Sequence, residues 1–351
     1  MISQLDRLSR LRWGILGCAR VARQVMAPGI RQSRNGLILA VASRNLETAQ
    51  MFASSFEIDR TYGNYEQLLD DPDVQAVYIP LPNSLHKEWT IKAAAKGKHV
   101  LCEKPLACNA QQAQEMVDAC NKHGVLLMEG FDHRFHPQNL QIKQLIDEGR
   151  IGKVLRMTAV HSSDRPSSGD VRLSQQLFGG ILMDKGCYCV NTARFLFGSE
   201  PVAVYAKAEF GAESGVDERM TATLEFPTGG ASQFDCSFGL SAGLYRQSYE
   251  VFAQNGRIYV PQGFSQVETY RHGTIMETSY FIGKDTAVDA TADKIDCKGV
   301  HLWQLGAEYF ADRVLKDEPI QFPAENGLAN MKVIDALFQS ARQGRPVEVV
   351  P

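Results

Sequence analysis

The sequence, 351 residues long, lacks blocks of like charge and carries a net charge of only −3 at pH 7. Proteins that grip nucleic acid or an anionic membrane surface need a basic field, and none is present. No apolar run reaches the length of a membrane span, and the opening "MISQLDRLSRLRW" has no apolar core of a secretory signal. The eight cysteines include no CxxC pair and no zinc-ligand spacing. Cys187 and Cys189 are too close together for an unstrained bridge in regular structure. Reduced thiols in a cytoplasm are the simplest reading. Internal repeats and low-complexity linkers are absent as well. What is left is a chain long enough for a large core and two domains, expected in the cytoplasm.

The first third alternates apolar runs with helical patterns. "LRWGILG" (11–17), "LILAVAS" (37–43), "VQAVYIP" (74–80), "KHVLCE" (98–103) and "VLLME" (125–129) read as buried strands. Helical spacing fills 20–33, 46–56, 84–96 and 110–123, with Asn83-Ser84 and Asn109 as candidate N-caps. Such alternation predicts an α/β Rossmann domain, a doubly wound parallel sheet, over residues 1–130.

After Phe131 the texture changes. A helical pattern over 139–148 is followed by long period-2 stretches at 153–163, 201–210, 219–227, 230–238 and 248–260. These predict an α+β domain over 131–351 with a large, mostly antiparallel open sheet. "AQNGRI" carries an Asn-Gly hairpin signal. Helical patterns at 301–316 and 325–343 close the chain and are free to pack back toward the first domain.

"WGILGCARVA" puts Gly17, Cys18, Ala19, Arg20, Val21 and Ala22 between the first strand and the first helix. This is a G-x-A-x-x-A form of the dinucleotide fingerprint. Gly17 makes the turn, Ala19 is small enough for backbone approach to pyrophosphate, and Ala22 allows close helix–strand packing. Backbone N–H groups at the helix start would hold the phosphates. The alternative is a small-residue turn without a ligand. The second strand should end at Ser43-Arg44, and no acid follows until Glu47. A carboxylate there would suit the ribose hydroxyl of NAD, whereas Ser43 and Arg44 suit the 2′-phosphate of NADP. NADP is therefore the favoured cofactor over NAD; a merely solvated arginine is the alternative.

Glu103-Lys104-Pro105 follows the fourth strand of this reading, and "PLPNSLH" (80–86) follows the third. In an open parallel sheet both reach the carboxyl-end crevice where ligands bind. Pro105 restricts Lys104, and an X-Pro bond is able to be cis. From the residues alone, Lys104 is either a fixed site residue or an ordinary loop start.

Several segments resemble the glucose–fructose oxidoreductase/inositol dehydrogenase/MocA (Gfo/Idh/MocA) family. They are Glu103-Lys104-Pro105, "GGILMDKGCYCVNTARFLFG" (179–198), "MEGFDHRFHPQ" (128–138) and the terminal "DALFQSARQGRPVEV". The tyrosine in the second segment is most similar to the dihydrodiol dehydrogenase, D-xylose dehydrogenase and glucose–fructose oxidoreductase branch. The resemblance implies that Lys104 bonds the reacting hydroxyl, that Tyr188 is the general acid/base, and that Asp184 holds a substrate hydroxyl. Lysine beside tyrosine would stabilise the phenolate. If Asp184 starts the helix, Tyr188 follows one turn later on the same face. The resemblance further places Glu103, Asn83 and His86 near the nicotinamide ribose, Leu81 and Pro82 against the cofactor, and Arg172 within its reach.

Departures from the family pattern are Phe178 where many relatives have glycine, and Asp132-His133 before Arg134. His133 and His136 are expected in structural or pocket roles, since no carboxylate cluster completes a metal site. Thiol packing is the expected role of Cys187 and Cys189. The resulting expectation is an NADP(H)-dependent oxidoreductase acting on a sugar, cyclic polyol or diol. The alternatives are an aldose–ketose or aldose–aldose oxidoreductase with tightly bound NADP, a non-catalytic dinucleotide-sensing regulator, and a nicotinamide-dependent glycosidase. Pocket specificity is expected in the loops at 162–171 and 263–273, and a homo-dimer or homo-tetramer through the exposed sheet face.

Overall fold

The computed structural model describes residues 9–240, 245–261, 263–264, 281–283 (backbone only) and 301–350. Of the loop at 263–273, only Gly263 and Phe264 are therefore described. Internal contacts divide the chain into two units. The first comprises Met1–Asp132 and His301–Leu328, the second His133–Val300 and Ala329–Pro351.

The first unit is built on six parallel strands: β1 (Leu11–Leu16), β2 (Gly36–Ala42), β3 (Arg60–Tyr62), β4 (Ala76–Ile79), β5 (His99–Cys102) and β6 (Leu127–Glu129). Their order is β3-β2-β1-β4-β5-β6. The order reverses between β1 and β4, which makes the carboxyl ends of those two strands the binding edge. The central strands β1 and β4 are almost wholly buried, as a sheet covered on both faces requires, while the edge strand β3 is half-buried. The first helix, α1, spans residues 20–32, with a π-helical stretch at Ala22–Met26 followed by Ala27–Gln32. Helix α2 (Leu46–Phe56) is capped by Asn45, whose side chain accepts from Thr48 N. A short helix, α3 (Tyr65–Leu69), starts behind the cap Asn64.

Helix α4 (Asn83–Ala95) corrects one expectation. Pro82 takes the cap position and Asn83 is already the first helical residue, with Leu85 N donating to Pro82 O at 2.8 Å. Helix α5 (Ala110–His123) has the expected Asn109 cap, which accepts from Gln112 N. In the same unit, Gly29 of α1 lies against the backbone around Trp303; a Cβ there would meet Trp303 C at 2.9 Å. Trp13, fully buried, packs on Phe310 with ring centroids 5.2 Å apart.

The second unit holds an eight-stranded sheet. Its strands are β7 (Val154–Asp164), β8 (Ala203–Phe210), β9 (Asp217–Glu225), β10 (Ala231–Leu240), β11 (Tyr245–Ala253), β12 (Gly256–Val260), β13 (Phe281–Gly283) and β14 (Val347–Glu348). The order is β13-β12-β11-β7-β10-β9-β8-β14, with every pairing antiparallel except β7 with β10. Helix α6 (Pro137–Asp147) and helix α7, residues 181–197, precede or interrupt this sheet. Gly186 of α7 sits so close to the sheet that a Cβ would meet Cys236 Sγ at 3.0 Å. The opposite face is exposed and forms a shallow hollow of about 370 Å³ lined by residues such as Thr158, Tyr205, Thr221, Thr223 and Gln233.

The hairpin signal in "AQNGRI" is displaced by one residue. Ala253 pairs with Gly256, so Gln254-Asn255 form the turn rather than Asn255-Gly256. Both turn amides are claimed by the approach to β7: Gln254 N donates to Lys153 O at 3.0 Å and Asn255 N to Ile151 O at 2.9 Å. Those bonds select the turn over the local Asn-Gly preference.

Candidate active site

At the carboxyl ends of β1 and β4, Gly17 adopts φ +109°, a conformation that side chains rarely take. A Cβ on it would meet Leu81 Cδ2 at 2.9 Å, so the glycine turn and the loop after β4 touch here. Gly17 N donates to Ala42 O, which ties the same turn to the end of β2. Cys18 Sγ lies 3.7 Å from Thr48 O, and burial pushes its thiol up to about 11. That thiol stays protonated at neutral pH and is inert as a nucleophile. The first bond of α1 runs from Arg23 N to Ala19 O, leaving the amides before it as the open donors of a helix start. Arg20 is exposed in this first turn and Val21 is half-buried.

Ser43 and Arg44 follow β2. Ser43 Oγ accepts from Asn45 N at 3.3 Å. Arg44 is exposed and forms no ion pair among the described residues. The residues fit a phosphorylated dinucleotide: an open glycine turn, free helix-start amides and an arginine not committed to a carboxylate.

Beyond β5, the Lys104-Pro105 peptide is cis. Buried Glu103 accepts from Tyr78 Oη at 2.6 Å through one oxygen and from Lys104 N at 3.2 Å through the other. Glu103 thus fixes the backbone that carries Lys104. His86 is wholly buried, with Nδ1 2.9 Å from Pro105 O and Nε2 2.8 Å from Leu81 O. It ties the lysine loop to the loop of Leu81, Pro82 and Asn83. Burial, aided by the Lys104 charge, pushes the His86 pKa down. A neutral imidazole has one N–H, so it satisfies one of the two carbonyls at a time. Glu129, not anticipated from sequence, accepts from Leu106 N at 2.7 Å and holds the far side of the loop.

The second unit carries the other candidate residues. Asp184 does not start α7. The helix is under way by residue 181, passes through a π-helical stretch at Leu182–Gly186 and continues as Cys187–Phe197. Asp217, on β9, supplies the cap: its Oδ2 accepts from Leu182 N at 2.8 Å. Asp184 pairs with Arg172, Nε to Oδ2 3.1 Å. Asp170 lies 3.2 Å from the same guanidinium, and the Asp184 charge raises the Arg172 pKa.

Tyr188 is half-buried among rings: His161 at 5.2 Å, His133 at 5.3 Å and Phe264 at 6.2 Å between centroids. His161 Nε2 is 3.0 Å from Tyr245 Oη, to which Lys185 Nζ donates at 2.8 Å. His133 Nε2 is 3.1 Å from Thr192 Oγ1, and burial drives its pKa well down. His136 caps α6 by accepting from Gln138 N. Cys187 and Cys189 are fully buried, and burial pushes the Cys189 thiol up, as packing roles require. Phe178 takes φ +57°, the left-handed conformation for which glycine is the usual residue. No cluster of metal ligands occurs among the described residues, and no described helix is long and apolar enough to cross a membrane.

Tyr65, His161, Lys185, Tyr245 and Asp217 were not anticipated. The signal available for Tyr65 was the cap pattern in "GNYEQLL"; for His161 it was its inward parity in the alternating β7.

Residues 11–131 match the model of the oxidoreductase family with an NAD-binding Rossmann fold. Residues 139–259 match the GFO/IDH/MocA C-terminal domain. A D-xylose 1-dehydrogenase (NADP+) of Haloferax volcanii is 35% identical over 97% of this chain and 100% of its own. A trans-1,2-dihydrobenzene-1,2-diol dehydrogenase of Xenopus tropicalis is 34% identical over 71% of this chain and 75% of its own. The crystal structure of an aldose–aldose oxidoreductase from Caulobacter crescentus, complexed with glycerol, superposes with a TM-score of 0.87 at 26% identity, covering 97% of this chain and 99% of that one. The chain belongs to the Gfo/Idh/MocA family of oxidoreductases, with an NAD(P)-binding Rossmann domain at its N-terminal end.

Proposed function

We propose that this chain is an NADP(H)-dependent dehydrogenase acting on the CH–OH group of a sugar, cyclic polyol or diol. The observation that carries the cofactor choice is Arg44: it stands exposed just beyond β2, paired with no carboxylate among the described residues. An acid in that place would repel a 2′-phosphate; an uncommitted guanidinium welcomes one. The NADP+-dependent relative from Haloferax volcanii supports the same choice. Gly17, Cys18, Ala19, Arg20 and Val21 would hold the pyrophosphate through backbone amides, Ser43 and Arg44 the 2′-phosphate. Leu81, Pro82, Asn83, His86 and Glu103 are assigned to the nicotinamide end, with Arg172 a further contact.

When bound, the dinucleotide supplies the acceptor or donor of hydride. In the proposed mechanism Tyr188 takes up or returns the hydroxyl proton, while Lys104, held by Glu103, donates a hydrogen bond to the same substrate oxygen. Asp184, steadied by Arg172, holds a neighbouring hydroxyl. The buried rings of His133 and His161 pack around Tyr188 and help fix the position of its hydroxyl.

Thermal unfolding of cofactor-stripped protein with NADP, with NAD and with neither tests this reading. A ligand at a hundred times its dissociation constant stabilises by about 2.7 kcal/mol. Stabilisation by NADP alone supports the Arg44 assignment and directs a sugar and diol screen. Equal stabilisation by both would remove the 2′-phosphate contact, and stabilisation by neither would remove the dehydrogenase reading.

The likeness to the aldose–aldose oxidoreductase favours one variant, in which NADP stays bound and hydride passes between two sugars. Release of stoichiometric NADP on acid denaturation of the purified protein would support it. A cytoplasmic homo-dimer or homo-tetramer, joined through the exposed face around Tyr205, completes the proposal; light scattering at monomer mass would refute the assembly.

A further inference from the structure

Tyr65 opens α3 just past the carboxyl end of β3, and the Asn64 cap fixes its backbone by accepting from Gln67 N at 2.8 Å. Its ring is buried, with 7% of the residue exposed, and meets Trp89 edge to face at 4.8 Å. Trp89 in turn is covered by the Lys92 ammonium, 4.1 Å from its centroid. The ring is therefore locked. Its hydroxyl is directed at the glycine turn, 3.7 Å from where a Cβ on Gly17 would stand. Burial raises the pKa of the phenol, and the Arg44 charge is close enough to oppose that rise.

Among the described residues this hydroxyl has no hydrogen-bond partner. Its oxygen is not among the fully buried side-chain atoms that lack a partner, so the hydroxyl stays open to a ligand beside the glycine turn although the ring is buried. Gly17, Cys18 and Arg44 are the residues assigned to the phosphates of the dinucleotide, and none of them bonds the phenol.

We infer that Tyr65 is a further cofactor-binding residue, whose hydroxyl donates to a phosphate oxygen of the dinucleotide beside Gly17 and Arg44. The inference rests on the dinucleotide-binding reading of this unit and adds a side-chain donor to its backbone amides. Two phosphates offer that chemistry, the pyrophosphate common to both dinucleotides and the 2′-phosphate of NADP.

The test is a titration of cofactor-stripped protein with NADP+ and with NAD+, followed by calorimetry, for wild type, Tyr65→Phe and Tyr65→Leu. Tyr65→Phe keeps the ring on Trp89 and should leave the unfolding midpoint of the stripped protein unchanged. Its dissociation constant for NADP+ should rise about tenfold, the worth of one hydrogen bond to a charged acceptor. A rise for NADP+ alone assigns the 2′-phosphate; a rise for both assigns the pyrophosphate; either supports the inference. Unchanged affinities in Tyr65→Phe overturn it while leaving the reading intact. Affinity lost only in Tyr65→Leu, with a lowered midpoint, makes the residue a packing element and also overturns it. Wild-type protein that binds neither dinucleotide overturns both the inference and the reading.

Discussion

Asp217 and Leu182 are joined by a 2.8 Å hydrogen bond from the Leu182 amide to the Asp217 carboxylate. The bond starts the helix that carries Asp184 and Tyr188. Gly180, at φ +111°, makes room for that carboxylate: a Cβ there would meet Asp217 Oδ1 at 2.0 Å. Burial pushes the Asp217 carboxyl up to about 7 from its usual 3.8. An acid whose folded pKa is raised stabilises the fold below its unfolded pKa and loses that contribution as pH rises through the folded value. Between pH 4 and 7, ionisation of Asp217 should therefore cost on the order of 4 kcal/mol. Asp217→Asn keeps an oxygen for Leu182 N and removes the charge. Urea unfolding should show the variant gaining on wild type as pH rises from 4 to 8; parallel curves would contradict this.

His136 acts in the same pH window with the opposite sign. It accepts from Gln138 N, which needs a neutral imidazole, and burial lowers its pKa to about 4 from 6.5. Its contribution is complete above pH 6.5 and lost on acidification through 4, on the order of 3 kcal/mol. The two groups oppose each other in wild type, and the buried His86 and His133 act in the same sense as His136. His136→Asn, which preserves a cap acceptor without titrating, should therefore gain less stability than wild type as pH rises from 4 to 7, measured by the same unfolding series.

Gly17→Ala should lose stability and cofactor together. Its φ of +109° is strained for alanine by about 1–3 kcal/mol, and the new methyl would press Leu81 aside. The midpoint of the stripped protein should drop, and the dissociation constants for NADP and NAD should both increase. A variant that folds less stably yet binds both dinucleotides as wild type does would detach Gly17 from the cradle.

Tyr188→Phe removes the proposed acid/base and leaves the rings around it packed. With any sugar or diol that turns over, the single-turnover rate should fall by about 10² to 10⁴ while NADP affinity holds. Lys104→Met should reduce the rate comparably. Full turnover in either variant would return the chemistry to other groups.

The fold was legible where local signals and packing agreed. Leu46–Phe56 and Ala110–His123 have their expected bounds because an asparagine cap opens each and an apolar stripe runs through it. β3, three residues long, and the single turn of α3 are too short for any period to declare itself, so Tyr65 went unseen with them. The π-helical stretches leave no mark on a hydrophobic pattern. His161 and Tyr245 meet only because β11 pairs with β7 in a register that places Gln247 opposite His161. That pairing joins residues 84 positions apart in the chain, beyond any window of periodicity. Lys104 and Tyr188 came instead through resemblance, which carried roles that spacing alone left open.

The two π-helical stretches have a consequence for how this chain tolerates changes of length. In each, an amide reaches back five residues instead of four, Ala27 N to Ala22 O and Cys187 N to Leu182 O. Each is thus equivalent to one residue inserted into an ordinary helix. Deleting a single residue from Leu182–Gly186 would let the α-helical ladder close, but would swing everything on one side of the cut by about 100° relative to the other. Tyr188 and the cap at Leu182 would no longer face their present neighbours together. At this point in the chain, length itself is under constraint, independent of which residues fill it.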